Sequence, residues 1–407
     1  MTITTAHDQR EYPRWIITAL LAGLNTLGPF SIDTYFPAFD AIGRDLQAGT
    51  IQMQQTLSAY LLGFAFMLLF HGALSDAFGR RPVIMISLVI FAAASIGCAL
   101  STSIRVLILF RFVQGLSAGA GMVVGRAIIR DLFDMVEAQK MMSHVTMIFA
   151  LAPAVAPVIG GWLYVGFGWR SVFAFIAMAG LILLFACLRY LPESLPKGAR
   201  QPFHIVALAR GYRTVVLNRR FVLLSLAVGL NFAAFFLYIA SAPTFVQAML
   251  GLGPTQFAWL FLPGISGIMI GAYLSGRTAG RMRPESAVAA GYAVMGIAAL
   301  INFAYNHLAA SLTLPWAVLP LMGYTVGMAL TMPVISLSVL DLFPHLRGMT
   351  ASLQGCVSTL LNSVVSGVLS PLLAVSGKTL AFGMLTLVSS GALCWLTYRR
   401  MNLLGCA

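Results

Sequence analysis

Charge is scarce in this chain, and acid is scarcer than base. Of 407 residues, 59% are hydrophobic and only 9% are charged, against roughly 25% charged in an ordinary soluble protein. The chain carries 12 Asp and Glu against 25 Lys and Arg. A basic excess can indicate a nucleic-acid partner, but the positions of these basic residues favour membrane topology instead. The composition therefore predicts a polytopic helical membrane protein with no nucleic-acid partner.

The sequence also lacks the residue clusters that catalysis or cofactor binding would need. There is no His-rich or Cys-rich metal pattern and no nucleophile with a neighbouring base. The segment SGKT at 376–379 resembles the end of a phosphate-binding loop, yet position 372 is Leu where that loop requires Gly. We expect no metal, no cofactor and no enzymatic activity, and energy from a proton gradient. Five cysteines stand far apart and are interpreted as packing residues: Cys98, Cys187, Cys356, Cys394 and Cys406.

What the sequence does have is long apolar runs, each near the 20 residues that cross a bilayer. The first follows a short polar tail and is too long for a signal-peptide core, so we expect a retained anchor. The runs predict an all-α membrane protein with twelve transmembrane helices at 14–39, 51–75, 82–101, 105–128, 141–166, 169–191, 220–249, 254–276, 285–306, 312–338, 349–375 and 378–399.

The basic residues fix a predicted orientation for these spans. All but five lie at one set of ends, where the positive-inside rule places the cytoplasm. The exceptions are Arg44, Arg105, Arg170 and Lys378 on the other side and Arg111 within a span. Both termini are therefore predicted to be cytoplasmic, in a multi-pass protein of the bilayer.

A polar connection at 192–219 divides the spans into six and six. The predicted domains are residues 1–191, the linker 192–219 and residues 220–407, and the amphipathic stretch within 204–217 is expected to lie on anionic lipid. GALSDAFGRRPV at 72–83 and SGRTAGRMRPES at 275–286 occupy matching turns. Such a repeat predicts two pseudo-symmetric halves of a transporter, with the site between them near mid-membrane.

Asp33 is the ionisable residue that most needs an explanation, because a carboxylate deep in a membrane span is costly. Arg111 is predicted at a matching depth, each about 9 Å below the outer surface. A nearby cation favours a charged carboxylate while burial favours a protonated one, and the balance changes as a cavity opens. Our hypothesis is that Asp33 binds the proton and Arg111 modulates it. The alternatives are a static buried ion pair or an interfacial residue at the helix end.

Two further groups of residues are candidates. At the inner turn, Asp76 is expected to pair with Arg126 or Arg130, although the group could be only a positive-inside turn with one structural salt bridge. Aromatic and uncharged polar side chains within the spans would suit a flat, partly apolar compound, although each could instead serve packing or an interhelical hydrogen bond. These cavity candidates are Asn25, Tyr35, Gln114, Asn231, Phe235, Tyr238, Tyr324, Gln354 and Asn362.

Four stretches resemble one transporter family. GALSDAFGRR at 72–81 resembles the loop motif of the major facilitator superfamily, and SIDTYFPA at 31–38, RFVQG at 111–115 and APVIGG at 156–161 resemble its Bcr/CflA-type drug:proton antiporters. The antiporter motif usually has Gly-Pro where this chain has Ala156-Pro157. The resemblance implies that the loop locks one transport state through Gly72, Asp76, Gly79, Arg80 and Arg81, and it places the helix-five motif at Pro153, Pro157, Gly160 and Gly161.

We therefore expect a monomeric major facilitator of the bacterial inner membrane that exports small organic compounds in exchange for protons. The resemblance implies bicyclomycin-type or chloramphenicol-type substrates. One alternative is an exporter or facilitator of a natural metabolite, such as a nucleoside or amino acid, with incidental drug efflux. Another is a non-transporting membrane sensor, which would be expected to carry an added output domain.

Overall fold

A computed structural model describes residues 2–5, 8–278 and 280–405, with side chains described between 15 and 401 except at 135, 136 and 279. Cys406 lies outside the described residues. The chain separates into two compact units, Met1–Ile205 and Val206–Ala407. Their boundary falls within the polar connection at 192–219.

The first unit is built from nine α-helices after a short antiparallel hairpin, in which Thr2–Thr5 pairs with Asp8–Pro13. Short 3₁₀ turns at Phe36–Ala38 and Lys197–Ala199 join or follow these helices. The helices are α1 (Arg14–Asp33), α2 (Phe39–Asp45), α3 (Thr50–Leu68), α4 (His71–Phe78), α5 (Arg80–Ala99), α6 (Ile104–Ala118), α7 (Ala120–Leu132), α8 (Met135–Phe167) and α9 (Arg170–Tyr190).

The second unit contains a short helix within the polar connection, here called the surface helix, and six membrane spans. A 3₁₀ turn at Pro344–Leu346 and π-helical segments at Thr244–Met249 and Val365–Leu369 interrupt or extend its helices. The helices are α10 (Ile205–Val216), α11 (Arg219–Ala240), α12 (Ala258–Thr278), α13 (Pro284–Leu308), α14 (Leu319–Asp341), α15 (Arg347–Val364), α16 (Ser370–Leu373) and α17 (Gly377–Gly405).

Length and apolar composition identify the membrane-crossing elements. Within the described residues, 11 helices are long and apolar enough to cross a membrane, and α3 with α4 makes a twelfth span that bends by 47°. The prediction of an all-α, twelve-span membrane protein is confirmed. The first span differs in extent, because the chain turns after Asp33 and α2 carries the apolar segment on to Asp45.

The two units share one internal packing scheme. In the first, α1 packs on α8 and α9, while α5 packs on α6 and α9. In the second, α11 packs on α15 and α17, while α13 packs on α14 and α17. Matching pairs of spans are therefore in contact, as expected of a duplicated six-helix bundle. The repeated turns at 72–83 and 275–286 also match, since Gly79 and Gly280 both have positive φ, +103° and +75°.

The surface helix α10 is anchored to the second unit by one face. Leu208 and Val215 are buried, and Gly211 lies so close to Met349 that a Cβ there would be 2.6 Å from the sulfur. Tyr212 on the same face shares a hydrogen bond with Ser352, and burial raises the pKa of its phenol to about 12. Ile205 and Val206 at the start of the helix remain exposed.

Candidate functional site

Arg111 on α6 is fully buried at the centre of the first unit. Its Nη1 donates to the Ser31 carbonyl oxygen at 2.9 Å and to Gln114 Oε1 at 2.6 Å. The guanidinium carbon lies 4.6 Å from the ring centroid of Tyr35 and 4.5 Å from that of Tyr60. Aromatic faces at this distance attract a cation, so the positive charge is held by two rings and two oxygens.

Asp33 is the last residue of α1 and only 4% of it is exposed. It is the only carboxylate among the buried residues that the structure describes. Its side chain has no hydrogen bond or salt bridge to a described residue. Buried ionisable groups without such partners in a membrane span are candidates for proton carriage.

Asp33 and Arg111 are not paired with each other, since no contact within 4.0 Å joins them. Arg111 retains two buried donors, Nε and Nη2, that no described residue satisfies. The Ser31 carbonyl that Arg111 does bind is two residues before Asp33 on the same helix. The arginine therefore contacts the backbone that carries the acid, while both groups keep free bonding capacity.

A hydroxyl pair fixes the level of α1 against α3 beside this arginine. Ser31 donates to the Tyr60 hydroxyl at 2.8 Å, and Tyr60 donates to the Gly28 carbonyl oxygen at 3.1 Å. The Tyr35 hydroxyl shares a hydrogen bond with Thr56 on the same face of α3, at 3.2 Å. The end of α1 is thus held to α3 by polar contacts on either side of Arg111.

The helix-five motif contacts the same end of α1. A Cβ placed on Gly160 would lie 1.8 Å from the Thr34 carbonyl oxygen, the residue after Asp33. Pro153 and Pro157 lie inside α8, which remains one helix of 33 residues, and Gly161 is also buried. The glycine therefore allows α8 to touch the backbone at the turn that follows the candidate proton-binding residue.

The loop motif forms a charged cluster at the other end of the first unit. Arg80 donates to Asp76, to Ser75 Oγ at 2.7 Å and to Asp131 Oδ2 at 3.1 Å, which joins α4 and α5 to α7. Arg81 donates to the Leu188 carbonyl oxygen near the end of α9 at 2.7 Å. These bonds tie the ends of four helices together on the side of the first unit that carries the loop motif.

The segment after α9 completes this cluster. Glu193 accepts a hydrogen bond from the Arg80 backbone amide at 3.0 Å and forms a salt bridge with Arg200 at 3.7 Å. A Cβ on Gly79 would lie 2.4 Å from Glu193 Oε2, so a side chain there would displace this carboxylate. Ser194 donates to Asp131 at 2.8 Å. Gly72 precedes this network within α4.

The predicted partner of Asp76 needs correction. The structure pairs Asp76 with Arg80, and neither Arg126 nor Arg130 forms an ion pair with a residue whose side chain is described. The turn at Gly79 reverses the chain, which brings Arg80 back over Asp76, whereas Arg126 and Arg130 project from α7 at exposed positions.

The cavity candidates of the first unit differ in their surroundings. Tyr35 and Gln114 are fully buried and bond to protein, with Gln114 donating to Ser95 Oγ at 2.7 Å. Asn25 is half-buried, and its Oδ1 is enclosed without a hydrogen-bond partner in the described residues. Asn25 is therefore the member of this group with an acceptor left for a ligand.

In the second unit Asn231 and Tyr324 belong to one polar cluster. Asn231 donates to the Tyr292 hydroxyl at 3.0 Å, and its backbone oxygen accepts from the Tyr324 hydroxyl at 2.8 Å. The Tyr292 hydroxyl in turn donates to the Gly391 carbonyl oxygen at 3.0 Å. The Asn231 Oδ1 has no partner among the described residues.

The remaining candidates of the second unit are buried on α11 and α15. Phe235 covers Gly264, and Tyr238 accepts from Asn302 at 2.7 Å. Gln354 donates to Ser336 at 2.9 Å, while the Asn362 Oδ1 lacks a partner among the described residues. A lining role for these residues stays a prediction.

Sequence reasoning missed Asp131, Glu193 and Arg200 in the charged cluster. Their signal is an acid at the inner end of the fourth span and a Glu directly after the sixth. It also missed that Gly-Leu-Asn occurs at both 23–25 and 229–231. The repeat marks Asn25 and Asn231 as equivalent positions of α1 and α11.

No group of three or more His, Cys, Asp or Glu side chains comes together as a metal site within the described residues. The cysteines that the structure describes are free, and Cys98, Cys187 and Cys356 are buried while Cys394 is half-buried.

Comparisons with known proteins bear on this arrangement. The profile described as Major Facilitator Superfamily matches residues 19–367. A protein of Haemophilus influenzae named bicyclomycin resistance protein homolog is 27% identical over 95% of this chain and 98% of its own. Multidrug resistance protein D of Escherichia coli is 29% identical over 88% of this chain and 89% of its own. Among solved structures, a D-xylose-proton symporter superimposes with a TM-score of 0.71 at 16% identity, covering 94% and 97% of the two chains.

Proposed function

This chain belongs to the Major Facilitator Superfamily, and on that premise we propose that it exports small organic compounds in exchange for protons by alternating access. It is a multi-pass membrane transporter of the Bcr/CflA type. Beyond the family and the transporter type, we propose that transport is coupled to protons and that the substrates are small organic compounds. We also propose that the protein lies in a bacterial inner membrane with both termini in the cytoplasm. It also includes a monomeric carrier that uses the proton gradient without a cofactor.

The observation that carries the proposal is the unpartnered carboxylate of Asp33 on the same helix end whose Ser31 carbonyl binds the buried, incompletely bonded Arg111. With a proton bound, Asp33 is neutral and needs no counter-ion. Without the proton Asp33 needs a cation. Arg111, which binds the carbonyl of Ser31 near the end of α1, has Nε and Nη2 without a partner among the described residues. We propose that loss of the proton draws the two groups together, which shifts α1 against α6 and favours the other transport state.

The orphan amides support a substrate that donates hydrogen bonds. Asn25, Asn231 and Asn362 each keep an enclosed Oδ1 without a partner among the described residues, and a buried acceptor left unmet costs about 1–3 kcal/mol. Within either unit, a compound with hydroxyl or amide donors on an apolar body would supply a missing hydrogen bond. Bicyclomycin-type and phenicol-type compounds have this chemistry, and a relative named for bicyclomycin resistance supports that choice.

The test is proton movement in proteoliposomes with an imposed pH gradient and an internal pH dye, screened against a compound panel. We expect at least one compound to drive proton movement through the wild type and not through Asp33→Asn. The matched control is Asp45→Asn, since Asp45 is half-exposed and bonded to Arg170 at 2.7 Å, and it should behave as wild type. Proton movement through Asp33→Asn at the wild-type rate would refute the assignment. Compound equilibration without proton movement in the wild type would make the protein a facilitator.

A further inference from the structure

His71 is a buried ionisable residue that the proposed exchange does not yet use. It is the first residue of α4, directly after the break where the second span bends by 47°. Only 1% of it is exposed, and neither ring nitrogen has a hydrogen-bond partner among the described residues. A neutral imidazole has one donor and one acceptor, so both are left unmet in the interior.

The position of His71 coincides with a second helix break. The fourth span is interrupted at Gly119, between α6 and α7. A Cβ on Gly119 would lie 3.5 Å from His71 Nδ1 and 3.6 Å from Cε1. The imidazole thus lies at the bend of its own span and against the one-residue interruption between α6 and α7.

No charged side chain compensates the imidazole. The helices around it carry Asp76 on α4, Arg80 and Arg81 on α5, Arg105 and Arg111 on α6, and Arg126, Arg130 and Asp131 on α7, while α3 carries no charged residue. None of these groups forms a hydrogen bond or salt bridge with His71 within the described residues. An apolar side chain would fill this space without leaving two polar atoms unmet.

The depth of His71 separates it from Asp33. The bond from Tyr60 to Gly28 sets those two residues at one level of the antiparallel α1 and α3. Asp33 is five residues from that level in one direction and His71 eleven residues in the other, so at 1.5 Å per residue they stand about 24 Å apart along the spans. The two groups therefore lie in opposite halves of the membrane.

We propose that His71 is a second proton-binding site, on the inner side of the first unit. A proton from water binds the free imidazole nitrogen when the breaks at 69–70 and Gly119 open that side, and it returns to water from the same atom before they close. This inference rests on the proposed proton exchange and extends it. Asp33 carries the exchanged proton from the outer to the inner side, whereas the proton on His71 makes the transport rate depend on the inner pH.

The first experiment is a titration that does not depend on transport. The chain has 6 histidines, so ¹⁵N-histidine labelling of the detergent-solubilised protein gives few imidazole signals to resolve. The His71 signal is assigned by its loss in His71→Gln, or by elimination with single variants of the other five if that variant does not fold. We expect the signal to titrate between pH 4 and 8, with a midpoint that moves when a transported compound is added. An imidazole that stays unprotonated over that range, with and without compound, overturns the proposal.

The second experiment measures efflux from proteoliposomes at a fixed outer pH while the pH on the inner face is varied. We expect wild type and the exposed-site control His144→Gln to share one profile of efflux rate against inner pH. In His71→Gln we expect the efflux rate to vary at least about threefold less over the same range of inner pH than in wild type. An unchanged profile in an active His71→Gln overturns the inference while leaving the proton exchange at Asp33 intact. If no compound moves protons in the wild type while His71 still titrates with a compound-dependent midpoint, the proposed exchange fails and the proton site at His71 stands.

Discussion

Arg111 places a planar guanidinium in the interior of the first unit. Two tyrosine faces and two oxygen acceptors surround it. A lysine ammonium would retain the charge, but it is a compact and strongly hydrated group that cannot stack as a plane between two rings. The shape of the cation therefore matters here as much as its sign.

Arg111→Lys should consequently destabilise the protein by about 2 kcal/mol or more. The loss would come from weaker contacts with the two rings and from one hydrogen bond that the lysine no longer donates to an oxygen acceptor. The matched control is Arg170→Lys. Arg170 also lies over an aromatic ring, Trp169 at 4.2 Å, but its side chain is 48% exposed, and an exposed pair contributes less than about 1 kcal/mol. Thermal unfolding of both variants in detergent provides the comparison. Equal losses of melting temperature would show that burial between Tyr35 and Tyr60 adds nothing.

The sequence alone could bring Asp33 and Arg111 to one level, because counting residues from the end of a span gives depth. It could not predict that they would stay apart, since the direction of a side chain depends on how each helix is rotated against its neighbours. It also could not show that Tyr35 and Tyr60 would enclose the arginine. These contacts follow from the polar bonds of Ser31 and Tyr60.

At the scale of elements, α8 and α1 approach each other more closely than any side chain permits. Gly160 faces the Thr34 carbonyl oxygen, and a Cβ there would overlap it at 1.8 Å. Backbone cannot move aside as a flexible side chain can. The helix-five glycine therefore sets the distance between α8 and the turn after Asp33.

Gly160→Ala should push α8 away from α1 and cost about 3 kcal/mol or more, the upper end of what overpacking produces. Gly166→Ala is the control within the same helix, because a Cβ there meets nothing within 4 Å and alanine favours a helix. We expect Gly160→Ala to lower both the melting temperature and proton-coupled efflux, and Gly166→Ala to preserve both. Wild-type stability and efflux in Gly160→Ala would contradict this close approach.

The inner turns offer a second comparison between matching elements. Gly79 and Gly280 both have positive φ, and Gly79, at φ +103° and ψ +156°, lies in a region essentially confined to glycine, where a side chain costs about 1–3 kcal/mol. Only at Gly79 would a Cβ also strike Glu193, whereas at Gly280 it would meet nothing within 4 Å. Gly79→Ala should therefore lose more stability and more efflux than Gly280→Ala. Melting temperature and initial efflux rate, measured side by side, test this order, and equal effects would exclude Glu193 as a determinant.

The membrane spans could be predicted from the hydropathy of the sequence, whereas the positions at which helices bend or break could not. The apolar runs located the spans, and the loop motif located the turn at Gly79. The breaks at 69–70 and at Gly119 carry no proline, so nothing in the pattern distinguishes them from continuous helix. The N-terminal tail gave no strand signal either, although its backbone pairs as a hairpin.

For the whole molecule, twelve spans and a repeat could be predicted because bilayer thickness fixes helix length and each half repeats the same turn. The shared packing of the two units confirms the duplicated fold. The direction and coupling of transport do not follow from that fold, since they depend on which groups change charge during the cycle. Asp33, as the only buried carboxylate of the described residues, is the group that should set the number of protons exchanged.

Exchange of one proton at Asp33 predicts which forces drive each class of compound. When a neutral compound such as a phenicol leaves and one proton enters, one net charge crosses the membrane. A potential of 100 mV then contributes about 2.3 kcal/mol, equivalent to about 1.7 pH units. Export of a monovalent cation moves no net charge, so it should respond to the pH difference alone.

In proteoliposomes the two forces are set separately, the potential by valinomycin with a potassium gradient and the pH difference by buffer exchange. Efflux of the neutral compound should rise with either force, and Asp33→Asn should respond to neither. If neutral efflux ignored the potential, single-proton exchange at Asp33 would be excluded, because no net charge would then cross with the compound.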